Sequence, residues 1–253
     1  GIAAAPFVNI AQMKNKGFDF SAAANINLTK DLKLELNGNF TTYNNEIMKI
    51  SDAAPYFDME SRRFNGTFII RNAVGQSISE FFGYKVDGFW NSQAEIDAAD
   101  KATRDQYKDN SLVYQTDTKP GRFKYADVNG DGRITEADRT FLGNPNPKFS
   151  YGLNIGLTYK NWDFSMFLYG VQGNKIWNQV KWWTDFYPSF EGAKSKTALY
   201  DSWLPTRQNA TAPIQETAPS FSTSNVPNSY FVENGSYLRA KNLLLGYTIP
   251  TPV

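Results

Sequence analysis

The chain has 253 residues, 41% of them hydrophobic and 20% charged, which is too apolar for a disordered chain. Twenty-six basic against 25 acidic side chains leave a net charge of +1, which removes the electrostatic case for nucleic acid as a partner. Neither Cys nor His occurs, so disulfide frameworks, Fe–S clusters, zinc sites and triads built on His or Cys are excluded, and no active site is read in what remains.

No apolar run reaches the 18 or so residues of a transmembrane helix. Strands that cross a membrane give only a weak alternating signal, and that signal is present from the start. Phe18, Phe20, Ala22, Ala24, Ile26 and Leu28 alternate with Asp19, Ser21, Ala23, Asn25 and Asn27. After Lys30 and Asp31, Leu32, Leu34, Leu36, Gly38 and Phe40 alternate with Lys33, Glu35, Asn37 and Asn39. Weaker strands are expected at 59–71 and 78–90, the latter carrying Ile78, Phe82, Tyr84, Val86 and Trp90 on one face. Ser92 followed by Glu95 reads as a capping box opening a short surface helix towards Asp109.

Asp127, Asn129, Asp131, Gly132, Arg133 and Asp138 then fall at positions 1, 3, 5, 6, 7 and 12 of a calcium-loop pattern. The side chains of Asp127, Asn129, Asp131 and Asp138, with the Arg133 backbone carbonyl, form an oxygen-only donor set, which suits Ca²⁺ before Mg²⁺. Gly132 permits the sharp turn, and a short helix is expected from Thr135 to about Phe141. The bland alternative is an Asp/Asn/Gly-rich turn whose carboxylates are merely solvated.

The strongest periodicity follows. Phe149, Tyr151, Leu153, Ile155, Leu157 and Tyr159 share a face opposite Ser150, Gly152, Asn154, Gly156 and Thr158. Lys160 and Asn161 connect to a second run in which Trp162, Phe164, Met166, Leu168 and Gly170 alternate with Asp163, Ser165, Phe167, Tyr169 and Val171. Beyond it, Trp177, Trp182, Trp183, Phe186 and Tyr187 cluster. They are read either as packing for a loop or, for Trp177, Trp182, Trp183 and Tyr187, as contacts to a substrate or partner. A last strand is expected at 236–248.

Connections near 30–31, 72–77 and 160–161 are short; those at 45–58, 91–148 and 173–235 are long. Strict alternation of short and long links is the habit of outer-membrane barrels, with short periplasmic turns and long extracellular loops. A water-soluble sandwich has no reason to obey it.

Several strings add a resemblance. They are Asn15–Asp19 (NKGFD), Phe82–Gly88 (FGYKVDG), the Asp127–Thr135 segment, Asp138–Asn154 (DRTFLGNPNPKFSYGLN), Trp162–Gly170 (WDFSMFLYG) and Asn234–Pro250 (NGSYLRAKNLLLGYTIP). In matching order from about Phe7 to Pro250, they resemble the C-terminal part of the SusC/RagA-like TonB-dependent outer-membrane transporters. The resemblance implies an all-β, antiparallel transmembrane barrel of roughly 22 strands with a plugged lumen. Residues 1–253 would supply about seven of those strands, with the 91–148 and 173–235 loops extracellular. It also implies a non-enzymatic importer of oligosaccharides or peptides in a Gram-negative outer membrane, working with a SusD-like surface lipoprotein. Contact with TonB would run through a plug region that these residues do not contain, so the chain is expected to be a fragment of a larger barrel in outer-membrane lipid. The alternative is a soluble, calcium-stabilised β-domain that binds carbohydrate. The two differ in where the Phe149–Tyr159 row points, towards lipid or into a core.

Overall fold

The period-two runs fold as the long strands they encode. A computed structural model describes residues 11–51, 54–60, 64, 68–189 and 191–250. Five strands form the principal sheet: β1 (Gln12–Asn27), β2 (Leu32–Lys49), β9 (Phe149–Tyr159), β10 (Trp162–Gln172) and β13 (Tyr237–Tyr247). They lie in the order β1-β2-β9-β10-β13, every pair antiparallel. Thr29 closes the first short turn by accepting from the Leu32 N–H at 3.1 Å. Lys160, in the left-handed region at φ 53°, turns β9 into β10.

Register keeps the two faces chemically distinct. Phe40 faces Tyr151, Leu36 faces Ile155 and Leu34 faces Leu157 across β2–β9. Leu153 meets Leu168 and Leu157 meets Phe164 across β9–β10. Strand β13 would lose this phase at Leu243-Leu244-Leu245, but the register shifts opposite Phe167/Leu168, leaving Lys241 unpaired. That bulge returns Leu243 and Leu245 to the apolar face, opposite Met166 and Phe164.

The two weaker expected strands do not join this sheet, so it has five strands where seven were expected. Both edges of β9 are already occupied by β2 and β10. Of the expected 59–71 strand, 61–63 and 65–67 lie outside the described residues; the rest falls on β3 (Tyr56–Glu60) and β4 (Phe68–Ala73). The 78–90 run is split at Lys85 into β5 (Glu80–Tyr84) and β6 (Val86–Phe89). A five-residue strand reaches only about 17 Å, short of a hydrocarbon core. These pieces form smaller antiparallel sheets, β3-β4-β5-β8 with β8 at Arg139–Gly143, and β6-β7 with β7 at Phe123–Tyr125; a further pair, β11 (Lys175–Trp177) and β12 (Val232–Asn234), lies in the second excursion.

The helix expected over 135–141 is also corrected. Only a single 3₁₀ turn forms at Glu136–Asp138, because the Asp138 carboxylate folds back to accept from the Thr135 N–H at 2.7 Å. The next residues, Thr140-Phe141-Leu142, have side chains that favour strand, and they pair with β5 as β8. The capping-box helix does form as α1 (Gln93–Tyr107), with Ser92 Oγ accepting from the Glu95 N–H. Glu95 reaches one residue further back than expected, to the Asn91 N–H at 3.0 Å.

The hydrophobic core cluster lies in the excursions, while on the sheet burial is confined to its outer end, at Ile47 and Val171 among the large apolar side chains described. Tyr84, Phe123, Tyr125, Ile134, Phe186 and Phe231 are buried together, drawn from both the 50–148 and the 173–236 connections. The Tyr84 and Tyr125 rings stack at 5.1 Å, and burial pushes the Tyr84 hydroxyl up to about 12, so it stays neutral. No helix among the described residues is long and apolar enough to cross a membrane, which says nothing of strands.

Candidate functional site

Two regions carry the functional geometry, and the first is the sheet itself. Its apolar face is uncovered: Phe20 is 61%, Leu243 68% and Leu245 69% exposed. From Phe18 to Ile26, Leu32 to Phe40, Phe149 to Tyr159 and Trp162 to Gly170, that face carries no charged residue. Aromatic rings border it at both ends. Phe18, Phe40 and Phe149 follow one another at 6.2 and 5.3 Å at one end; Trp162 and Tyr247 meet at 4.7 Å at the other, beside Tyr159. The opposite face holds Asp19, Asn25, Lys33, Glu35, Asn37, Asn154 and Asp163. A depression of about 430 Å³ on it is lined by Asn25, Glu35, Asn37, Asn154, Ser165 and Asn242, with Gly156 providing the room. The row that a soluble sandwich would bury is half-exposed here, and Asn154 lies exposed on the opposite, largely polar face, beside Asn37 and Phe167.

The second region is the carboxylate loop. Asp127, Asp131 and Asp138 each offer a carboxylate oxygen within 4.8 Å of the others. Asp127 Oδ1 accepts from the Gly130 N–H at 2.7 Å, and Oδ2 from the Gly132 N–H at 2.7 Å. Asn129 Oδ1 accepts from the Asp131 N–H, and its amide donates to Asp131 Oδ2 at 3.0 Å. Asp138 is fully buried and accepts from the Val128 N–H at 2.9 Å. Arg133 sends its guanidinium over the Tyr107 ring and its backbone N–H to Asp131 Oδ1. None of the salt bridges among the described residues involves these three aspartates. Three converging carboxylates, one wholly removed from water and without a cationic side chain, fit a hard divalent cation.

The spacing of the loop was legible in the sequence; its brace was not. Helix α1 lies across it, with Thr103 Oγ1 donating to the Gly132 carbonyl at 2.6 Å. Gln106 and Tyr107 both donate to the Asp131 carbonyl, at 2.9 and 2.8 Å. Residues 103, 106 and 107 share a helix face by i, i+3, i+4 spacing, the only sequence trace of this role. Gly132 has φ +83°, and a Cβ there would sit 2.4 Å from the Gln106 side chain. Ile134, on the far side of the loop, is anchored in the core and donates its N–H to the Tyr114 carbonyl at 2.6 Å.

The aromatic cluster divides. Trp177 stacks on Phe231 at 5.3 Å and meets Phe64 edge-on at 5.9 Å. Trp182 donates to the Ser224 carbonyl at 2.9 Å and crosses Trp183 edge-on at 4.8 Å. Both Trp177 and Trp182 pack against the core, whereas Tyr187 is 53% exposed. The carboxylate loop and the tryptophans both stand at the end of the sheet away from the short turns, because both excursions leave from that end.

No family model matches the chain. Two TonB-dependent receptors of Formosa agariphila are 31% and 30% identical to it over 96% of its length. TonB-dependent receptor SusC of Bacteroides thetaiotaomicron is 27% identical over 95%. The chain spans 23%, 22% and 21% of the lengths of these relatives. Among solved structures, a RagAB peptide transporter aligns with a TM-score of 0.67 at 19% identity, covering 96% of this chain and 24% of that one. A RagAB peptide importer in its closed-closed state aligns at 0.66 and 21%, with the same coverage. Over nearly all its length, the chain resembles, in sequence and in fold, one stretch of the SusC/RagA-like TonB-dependent receptors.

Proposed function

We propose that this chain forms five adjacent wall strands, with their outer excursions, of an outer-membrane TonB-dependent transporter. The observation that carries the reading is a sheet with one uncharged, uncovered face between two aromatic borders and one polar face. A barrel wall needs both: lipid on one side, a hydrated lumen on the other. Eleven residues of β9 span about 36 Å, and a tilt of about 45° brings that close to the thickness of the apolar band. The exposure of Phe20, Leu243 and Leu245 favours this over a soluble β-domain.

The transporter takes up oligosaccharides or peptides and works with a SusD-like lipoprotein, a reading supported by the similarity to SusC and to the RagAB structures. It performs no catalysis. The carboxylate loop binds Ca²⁺ through Asp127, Asn129, Asp131 and Asp138 with the Arg133 carbonyl, and the ion stiffens the outer excursion against α1. Tyr187 is the member of the aromatic cluster most open to a partner, and Trp183 belongs to the same excursion.

The chain has no cysteine, so topology can be read by single-site labelling. In the full-length transporter on intact cells, Leu199→Cys, 67% exposed in the second excursion, should react with a membrane-impermeant maleimide. Lys30→Cys, in the first short turn, should react only after the outer membrane is opened. The reverse pattern, or equal labelling of both, would sink the assignment.

A further inference from the structure

A second cavity, about 500 Å³, opens where the outer end of β1 and β2 meets the residues leading into β9. Two lysines line it, Lys16 and Lys148, and no acidic residue does. Neither lysine is salt-bridged to a carboxylate among the described residues. Its floor is already set by amides. Asn146 donates to the Ile78 carbonyl at 2.9 Å, to Asn144 Oδ1 at 3.0 Å and to Ser77 Oγ at 3.1 Å, which holds the floor in place. The Asn44 side chain is exposed and lines the same cavity.

One wall is of a different kind. Phe18 is 64% exposed and begins the aromatic row that continues through Phe40 on the uncovered face of the sheet. A cationic, amide-lined cavity thus stands directly above an apolar platform. A soluble anion would use the first and ignore the second; an anionic amphiphile uses both.

We propose that this cavity holds the phosphorylated headgroup of an acylated glycolipid in the outer leaflet. Lys16 and Lys148 pair with the phosphate, the Asn44 and Asn144 amides meet sugar hydroxyls, and acyl chain lies along Phe18 and Phe40. The inference rests on the reading of the apolar face as lipid-facing.

The test is lysine footprinting of the full-length transporter in detergent, with acetylation at each lysine followed by mass spectrometry. Three probes are added separately: purified lipopolysaccharide, inorganic phosphate and octyl glucoside. Lipopolysaccharide should slow acetylation of Lys16 and Lys148 by about tenfold, as a charge-assisted contact predicts, and leave Lys30 unchanged. Phosphate or octyl glucoside alone should do far less. The Lys16→Glu/Lys148→Glu variant should lose co-purified glycolipid while keeping its heat-modifiable migration. No protection by lipopolysaccharide overturns the proposal, and so does equal protection by free phosphate, which would leave an anion site with no lipid. If the barrel reading itself is wrong, the unmodified protein will show no heat-modifiable migration, and that failure is distinguishable from the first two.

Discussion

Leu153 and Asn154 are neighbours in β9 whose side chains leave opposite faces of the sheet, and this makes them a matched pair. Leu153 faces Leu168 and Gly38 on the apolar side; Asn154 faces Phe167 and Asn37 on the polar side. Ten residue steps separate Phe149 from Tyr159, about 33 Å along the strand and about 25 Å of depth at a tilt near 40°. Leu153 lies six steps from Tyr159, about 15 Å deep on the same scale and close to the midplane. Leu153→Arg should therefore cost about 2–4 kcal/mol, roughly a 30- to 900-fold shift in the folding equilibrium. Asn154→Arg places the same charge on the exposed polar face, beside Asn37 and Phe167, and should stay within about 0.5 kcal/mol. The assay is urea-dependent folding of the full-length transporter into lipid vesicles, read by heat-modifiable migration. Similar losses for both variants, or a larger loss for Asn154→Arg, would refute the assignment of the faces.

Three further outcomes follow from the outer excursions. Saturating Ca²⁺ should stabilise the outer excursions against unfolding, by about 2.7 kcal/mol at a hundredfold excess over Kd; Asp138→Ala should abolish the response, and excursions indifferent to chelator would argue against the site. Burial pushes the Glu216 carboxyl up, but hydrogen bonds and charge from Arg122, at 2.8 Å, and from Lys119 outweigh it and hold the group below its ordinary 4.5. A depressed folded value means that this stabilisation is complete above pH 4.5 and disappears as pH falls through the lower value. Acid titration of the Arg122→Ala variant should show a shallower loss over that window. Trp177→Ala should destabilise by about 3 kcal/mol through lost packing, whereas Tyr187→Ala should leave stability within about 0.5 kcal/mol and reduce co-purification of the lipoprotein.

The principal sheet was legible because period two is a local property, and a face that meets a uniform surroundings stays uniformly apolar. Phe149–Tyr159 and Trp162–Gln172 needed nothing beyond the sequence. The 78–90 run misled because alternation alone does not reveal its partner. Tyr84 and Trp90 are aromatic because they fill the core of an excursion, where the partners Tyr125 and Tyr114 come from far along the chain. The 135–141 segment misled for a local reason: Asp138 satisfies the Thr135 N–H and ends the turn after one cycle. The carboxylate loop was legible as ligand spacing, but the buried state of Asp138 and the brace from Thr103, Gln106 and Tyr107 depend on tertiary contacts.

Losing two expected strands from the sheet does not disturb the sidedness inferred from it, because strands leave in pairs. The first strand of the pair would have carried the chain to one end and the second would have brought it back. With 59–71 and 78–90 removed, β2 still ends where β9 begins, at the end opposite the short turns, and the whole of 50–148 becomes one excursion. The carboxylate loop and the tryptophans therefore remain on the same side, now joined by a shared core in which Phe123 meets Phe186 at 6.3 Å and Tyr230 at 5.2 Å. On the proposed barrel reading, most of the sheet takes its environment from lipid and lumen, while the excursions, standing in water, must build a core to be ordered at all. That division explains why the aromatic content is high in both regions for different reasons, and why a cation bound at Asp127 and Asp138 would act on the excursions and leave the sheet unchanged.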